Sequence, residues 1–176
     1  MHLFVVRHAI AEDAEQGQDD AERELTNDGA RKFKRAVQGL RELRWTFDRV
    51  LTSPWKRAVQ TAELLKPLVD GPTISTELLC DKPRPELFAL IAEASAPKDG
   101  DGDSDGDGES DQRATALVGH EPWLSELVGW LAFGDLHHGE AIEIKKGGVV
   151  WLEGTAVPGG MKLRAVLPPK VLRELR

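Results

Sequence analysis

Apolar residues along the chain alternate between short continuous runs and stripes at three- and four-residue spacing. Leu3-Phe4-Val5-Val6 is a fully apolar, β-rich run, the pattern of a strand buried on both faces of a sheet. Residues 48–52, 73–75 and 114–118 read as further strands. Val149-Val150-Trp151-Leu152 and the segment 161–167, separated by Pro158-Gly159-Gly160, read as an antiparallel hairpin. Between these runs lie helical stripes. Thr26 is placed to cap a helix reaching about Leu43, with Ala30, Phe33, Val37, Leu40 and Leu43 on one buried face. A second helix is expected to bury Trp55, Ala58, Ala62 and Leu65. Pro85 opens a third, through Leu87, Leu90 and Ile91; a fourth after Pro122 carries Leu124, Leu127, Val128 and Leu131; a short one spans 169–175. Strands alternating with helices predict an α/β protein, a three-layer α/β/α sandwich with a mainly parallel sheet, and a single domain over residues 1–176.

Two segments fall outside this rhythm. Residues 11–24 are polar and acidic and read as an exposed loop. Residues 97–112 are almost wholly Asp, Gly, Ser and Lys, too poor in apolar surface to offset their ordering entropy, and are expected to form a flexible insertion. Seven acids there (Asp99, Asp101, Asp103, Asp105, Asp107, Glu109 and Asp111) face one lysine, Lys98, so most of the net charge of −7 sits in that segment. Asp101, Asp103, Asp105, Gly106, Asp107 and Glu109 match the first ligand positions of an EF-hand. Gln112 stands where the bidentate carboxylate belongs and a strand follows, so a solvated insertion is the preferred reading and no metal is expected. The rest of the chain shows no basic face with aromatic platforms, so nucleic acid is not an expected partner. No apolar run approaches the roughly 20 residues of a bilayer span, so no membrane partner is expected either. Cys80 is the single cysteine, which excludes an internal disulfide. A cytoplasmic monomer is the expectation.

Three segments carry the candidate chemistry: Val6-Arg7-His8-Ala9, Ser53-Pro54-Trp55-Lys56-Arg57 and Val118-Gly119-His120-Glu121. Each sets a cationic or imidazole side chain just past the C-terminal end of a predicted parallel strand, where open α/β sheets bind their ligands. Arg7, Arg57, His8 and His120 converging there would suit a doubly charged tetrahedral anion, because guanidinium donors match phosphate oxygens in pairs. A neutral imidazole in such a pocket can attack phosphorus.

These segments resemble the histidine phosphatase superfamily. Val6-Arg7-His8-Ala9 resembles its Arg-His-Gly signature, with Ala9 in place of glycine, and Leu25-Thr26-Asn27-Asp28-Gly29 resembles its Leu-Thr-x-x-Gly segment. The stretch from Ser53 through Arg57-Ala58-Val59-Gln60-Thr61-Ala62 resembles its Ser-Pro-x-x-Arg-Ala-x-Gln-Thr-Ala block, and Val118-Gly119-His120 the segment with the second histidine. Shortness, Arg23-Glu24-Leu25-Thr26 and Lys145-Lys146-Gly147-Gly148 are similar to the SixA-type phosphohistidine phosphatase branch. The resemblance implies a phosphoglycerate mutase-like fold in a minimal form without a large cap, and a phosphatase needing no cofactor or metal. It implies His8 as the phosphorylated nucleophile, Arg7 and Arg57 as phosphate ligands and His120 as the second pocket histidine. The implied partner is a phosphorylated protein, with a small phosphate ester as the alternative substrate and a non-catalytic phosphate-binding module as a third reading. Glu77 is the candidate general acid, against an exposed loop acid. Arg23 and Lys145 are candidate substrate-binding residues, against a solvated arginine and a charged turn.

Overall fold

The computed structural model describes residues 1–14, 16–96 and 114–175; the acidic insertion, and with it the calcium reading, lies outside the described residues. Six strands form one sheet: β1 (His2–Arg7), β2 (Arg49–Thr52), β3 (Thr73–Ser75), β4 (Ala114–Gly119), β5 (Val149–Gly154) and β6 (Met161–Leu167). Their spatial order is β3-β2-β4-β1-β5-β6. The first four run parallel, and β5 and β6 close the sheet antiparallel. The expected mixture of a parallel core and a terminal hairpin is therefore present.

Alternation along β1 divides the core. Leu3 and Val5 point to one face, where they join Leu51, Leu117, Leu87, Ile91, Leu124 and Leu127 beneath α3 (Pro85–Ala94) and α4 (Trp123–Phe133). Phe4 and Val6 point to the other, joining Val50, Ala116, Phe33, Val37, Leu40, Ala58 and Leu65 beneath α1 (Asn27–Glu42) and α2 (Lys56–Leu65). The closing helix α5 (Pro169–Glu174) adds Leu172 to that second face. All four residues of the Leu3–Val6 run are fully buried, as its unbroken apolar character requires.

The Thr26 hydroxyl accepts the Gly29 amide at 2.8 Å, the cap expected for α1. Burying Phe33, Val37 and Leu40 contributes about 1.5–3 kcal/mol each, more than the ~1 kcal/mol of a cap, so packing stabilises α1 while the cap fixes where it starts. Three expectations about helix faces fail, and the first is Ala30, which is only half-buried in the first turn of α1. Leu43 is 41% exposed, because α1 ends at Glu42 and Arg44 turns the chain with φ of 59°. Trp45, just beyond, packs edge-on to Phe4 at 4.6 Å in its place. Trp55 is only half-buried, since it precedes α2 as its cap residue and lies outside its apolar stripe.

Candidate active site

Strand order gathers the chemistry. β4 lies between β1 and β2, so the carboxyl ends of three strands distant in sequence are neighbours. Arg7 is in register with Gly119, and Thr52 with Val118. The ladder runs one step further: the His8 amide donates to the Gly119 carbonyl at 3.1 Å and the Ser53 amide to the Val118 carbonyl at 3.0 Å. His8, Ser53 and His120 thus leave the same edge of the sheet side by side. Gly147, with φ of 77°, brings its amide to the carbonyls of Arg7 and His8 at 3.1 and 3.0 Å, a turn that costs an L side chain strain.

His8 is buried, and its Nδ1 lies 2.7 Å from the carbonyl of Ala9. A carbonyl only accepts, so Nδ1 carries the hydrogen and Nε2 keeps its lone pair. Burial is the largest reason why its pKa falls to about 4; the Ala9 bond opposes it, while the charges of Arg57, Arg7 and Lys146 add to it. At neutral pH the ring is neutral, with the Nε2 lone pair available. The Ala9 amide is itself fixed by the Thr61 hydroxyl at 3.0 Å, and that hydroxyl donates to the Arg57 carbonyl at 2.7 Å. Thr61 therefore joins α2 to the backbone next to His8. Gln60, beside it, accepts the Leu25 amide at 2.7 Å and joins α2 to the loop before α1. Both side chains are explained by these bonds, which their positions in a sequence block did not reveal.

Arg57, 5% exposed at its side chain, reaches from the first turn of α2 to three acceptors. Its Nε donates to Nε2 of His8 at 3.3 Å, Nη2 to Oδ2 of Asp20 at 2.7 Å, and Nη1 to the Asp20 carbonyl. The other carboxylate oxygen of Asp20 accepts from Nη1 of Arg23 at 2.6 Å. Arg23 first and Arg57 second hold the Asp20 carboxyl below its usual range, so it is ionised. Asp20 begins a short turn, 20–22, inside the segment read as an exposed loop. Its role was illegible there because neither period nor composition marks a loop residue that reaches a distant helix. Arg23 stands one contact from Arg57, through Asp20.

His120 is buried with its ring centroid 5.2 Å from that of His8. Its Nε2 lies 2.8 Å from the Ser53 hydroxyl, and its Nδ1 is buried without a hydrogen-bond partner. Burial, then the neighbouring His8 and Arg57, lowers its pKa to about 3. Ser53 also receives the Trp55 amide at 3.2 Å and meets Cys80 Sγ at 3.1 Å. Trp55 lies 4.5 Å from the His120 ring and 4.6 Å from the Arg57 guanidinium carbon, with Trp123 6.0 Å beyond it. The two half-buried indoles form an aromatic wall beside the imidazoles.

Arg7 holds the Ile144 carbonyl through Nη1 at 2.7 Å and keeps a buried Nε without a partner. Its charge acts on His8, His120 and Glu121. Glu121 lies partly buried, with Ser125 Oγ 2.5 Å from its Oε2, and burial raises its pKa. The structure brings Arg7, His8, Arg57 and His120 together and leaves two other candidates at the margin. Glu77 is exposed and acts electrostatically on the Cys80 thiol; Lys145 is exposed, 3.9 Å from Glu143. Among the described residues no group of three or more His, Cys, Asp or Glu side chains is gathered as a metal site. A pocket of two guanidiniums and two neutral imidazoles can bind a tetrahedral oxyanion and present a ring nitrogen to its central atom.

Comparison with known proteins agrees with this geometry. The family model "Histidine phosphatase superfamily (branch 1)" matches residues 3–81, the segment with Arg7, His8 and Arg57. An uncharacterized protein of Picosynechococcus sp. is 33% identical over 156 residues, covering 89% of this chain and 87% of its own length. The structure of the protein histidine phosphatase SixA complexed with tungstate superposes with a TM-score of 0.75 at 20% identity, over 98% of this chain and 99% of that one. Phosphoserine phosphatase from Entamoeba histolytica, in complex with 3-phosphoglyceric acid, superposes with a TM-score of 0.63 at 18% identity, over 97% and 98%. The fold is the phosphoglycerate mutase-like fold of these neighbours, and the chain belongs to the histidine phosphatase superfamily.

Proposed function

We propose that this protein is a phosphohistidine phosphatase of the SixA type that works through a covalent intermediate on His8. The observation that carries the reading is the fixed tautomer of His8, with Nδ1–H on the Ala9 carbonyl and the Nε2 lone pair facing Arg57, in a ring 5.2 Å from that of His120. Membership of the superfamily supports a phosphatase; the substrate and the residue roles are our reading.

Nε2 attacks phosphorus in line as the bond to the leaving group breaks, and the electron pair goes to the leaving nitrogen. Phosphorylated at Nε2 and still protonated at Nδ1, His8 is cationic. Water then forms the new P–O bond while the P–Nε2 bond breaks, and both protons of the water leave with the product as dihydrogen phosphate. The electrons of the broken bond return to Nε2, restoring the neutral ring. Arg7 and Arg57 neutralise the phosphoryl oxygens, and His120 donates from Nδ1 when the Ser53 hydroxyl donates to its Nε2. Positioning and charge stabilisation supply most of the acceleration, because a loose phosphoryl transition state needs little other chemistry.

The leaving group favours phosphohistidine. An alkoxide needs a proton as it leaves, whereas an imidazole protonated on its other nitrogen departs neutral. Asp20, the carboxyl bonded to Arg57, is held ionised and has no proton to give. The wall of Trp55 and Trp123 offers a flat ring a surface to stack on. A small phosphate ester is the alternative substrate, with Glu77 as its proton donor. Turnover of a phosphohistidine protein compared with a panel of metabolite phosphates tests the choice. The reading expects the phosphohistidine protein to lead in kcat/KM by at least tenfold, and a metabolite phosphate in the lead would replace it.

A further inference from the structure

We propose that Asp20 is a positioning residue that shares Arg57 with the phosphoryl group and so hastens release of inorganic phosphate. The inference rests on the reading of this pocket as a phosphate site. Arg57 has five donor hydrogens, and an oxyanion can pair with it through Nε and one terminal nitrogen or through the two terminal nitrogens. On Arg57, Nε faces His8 at 3.3 Å, while Nη2 and Nη1 are both turned to Asp20. Three of the five hydrogens are thus engaged, and an oxyanion bound to the remaining ones sits on a guanidinium already paired with the Asp20 carboxylate. Asp20 need not leave, since its other oxygen stays on Arg23 at 2.6 Å. The carboxylate remains a fixed negative neighbour of whatever the arginine holds.

That neighbour does not act equally on every state of the reaction. Inorganic phosphate and a phosphorylated substrate bring close to two negative charges. A loose transition state places a metaphosphate-like group, with less charge on its equatorial oxygens, at the same arginine. Repulsion from Asp20 thus weakens the bound substrate and product more than the transition state, the kind of difference that raises kcat. His120 feels the same carboxylate, which raises its pKa against the stronger lowering by burial, His8 and Arg57.

The test is Asp20→Asn in the full chain, with Glu22→Gln as the charge control. Glu22 is exposed on the same turn and is not bonded to Arg57. Tungstate binding by calorimetry and product inhibition by inorganic phosphate are read beside kcat and KM. For Asp20→Asn we expect tungstate and phosphate to bind about tenfold tighter, KM and kcat to fall together and kcat/KM to change less than threefold. Glu22→Gln should stay within twofold of the parent. Unchanged or weaker oxyanion binding in Asp20→Asn overturns the proposal, as does a fall in kcat without tighter binding, which would make Asp20 a proton carrier. Failure of the parent protein to bind tungstate at all would instead remove the phosphate site on which the proposal stands.

Discussion

Nε of Arg57 donates to Nε2 of His8 across 3.3 Å, so one cation holds the lone pair that the proposed reaction would use. The bond is at the long end of the hydrogen-bond range and therefore weak. A charged phosphoryl oxygen makes a shorter and stronger bond to a guanidinium than a neutral ring nitrogen does, so the exchange that would free His8 Nε2 favours substrate. Arg57→Ala should lower kcat/KM for an aryl phosphate on the order of 10²–10³-fold, the loss typical of one preorganised charge stabiliser. Arg57→Lys should recover less than a tenth of the difference, because a point charge cannot serve His8, the Asp20 carboxylate and an oxyanion at once. A lysine variant with near-parental activity would show that charge alone matters.

The covalent step proposed for His8 has a direct readout. His8→Ala should abolish aryl phosphate hydrolysis, a fall of roughly 10⁴-fold or more, with an unchanged circular dichroism spectrum. Acid-labile phosphate trapped on the parent protein by rapid quench should be missing from the variant. Residual turnover near the parental level would assign the nucleophile elsewhere.

The pH behaviour follows from the two lowered imidazoles. NMR titration should show His8 with a midpoint near 4 and His120 near 3. In the unfolded chain both active-site rings take protons near 6.5. The native state thus binds fewer protons than the unfolded state between about 4 and 6.5. The stability these rings contribute is present above pH 6.5 and is lost as pH falls toward the native values. A midpoint above 6 for His8 would contradict its burial against Arg57 and Arg7.

Much of this architecture is legible because apolar runs stop where the chemistry starts. Leu3–Val6, Val50–Leu51 and Ala116–Val118 are buried strands, and each is followed within two residues by Arg7-His8, Ser53 or Gly119-His120. Thr26 is equally legible, since a hydroxyl three residues before a glycine amide has one obvious bond to make. What stays hidden depends on approach between elements. Asp20 meets Arg57 across 37 positions, and Ser53 meets His120 across 67, through contacts that leave no local period. His2 shows the opposite case: a buried histidine whose Nδ1 accepts from the Trp151 indole at 2.9 Å, at the other end of β1 from His8. Nothing in its residue type separates it from His8, and only its place on the strand does.

Ser53→Ala tests the hidden contact with His120. The substitution leaves Nε2 of a buried ring without its partner, which costs roughly 1–3 kcal/mol of stability. It also releases the Trp55 amide at the start of α2. Denaturant unfolding should show that loss, and kcat should fall tenfold or more as the His120 ring loses its orientation. A stable variant with full activity would mean that packing against Trp55 alone holds the ring.

The aromatic wall separates the two substrate readings. Trp55 is packed against both the Arg57 guanidinium and the His120 ring, so Trp55→Leu, which keeps apolar bulk, disturbs those neighbours less than truncation to alanine. A stacked pair of rings contributes roughly 0.5–1.5 kcal/mol beyond buried area, equivalent to about 2- to 10-fold in kcat/KM. The leucine variant should therefore lose that much toward phosphohistidine and p-nitrophenyl phosphate, whose leaving groups are planar. Phosphoserine, with no ring, should be turned over within twofold of the parental rate constant. An equal loss on all three substrates would show that Trp55 acts only by packing Arg57 and His120, and the leaving ring would then have to be recognised elsewhere.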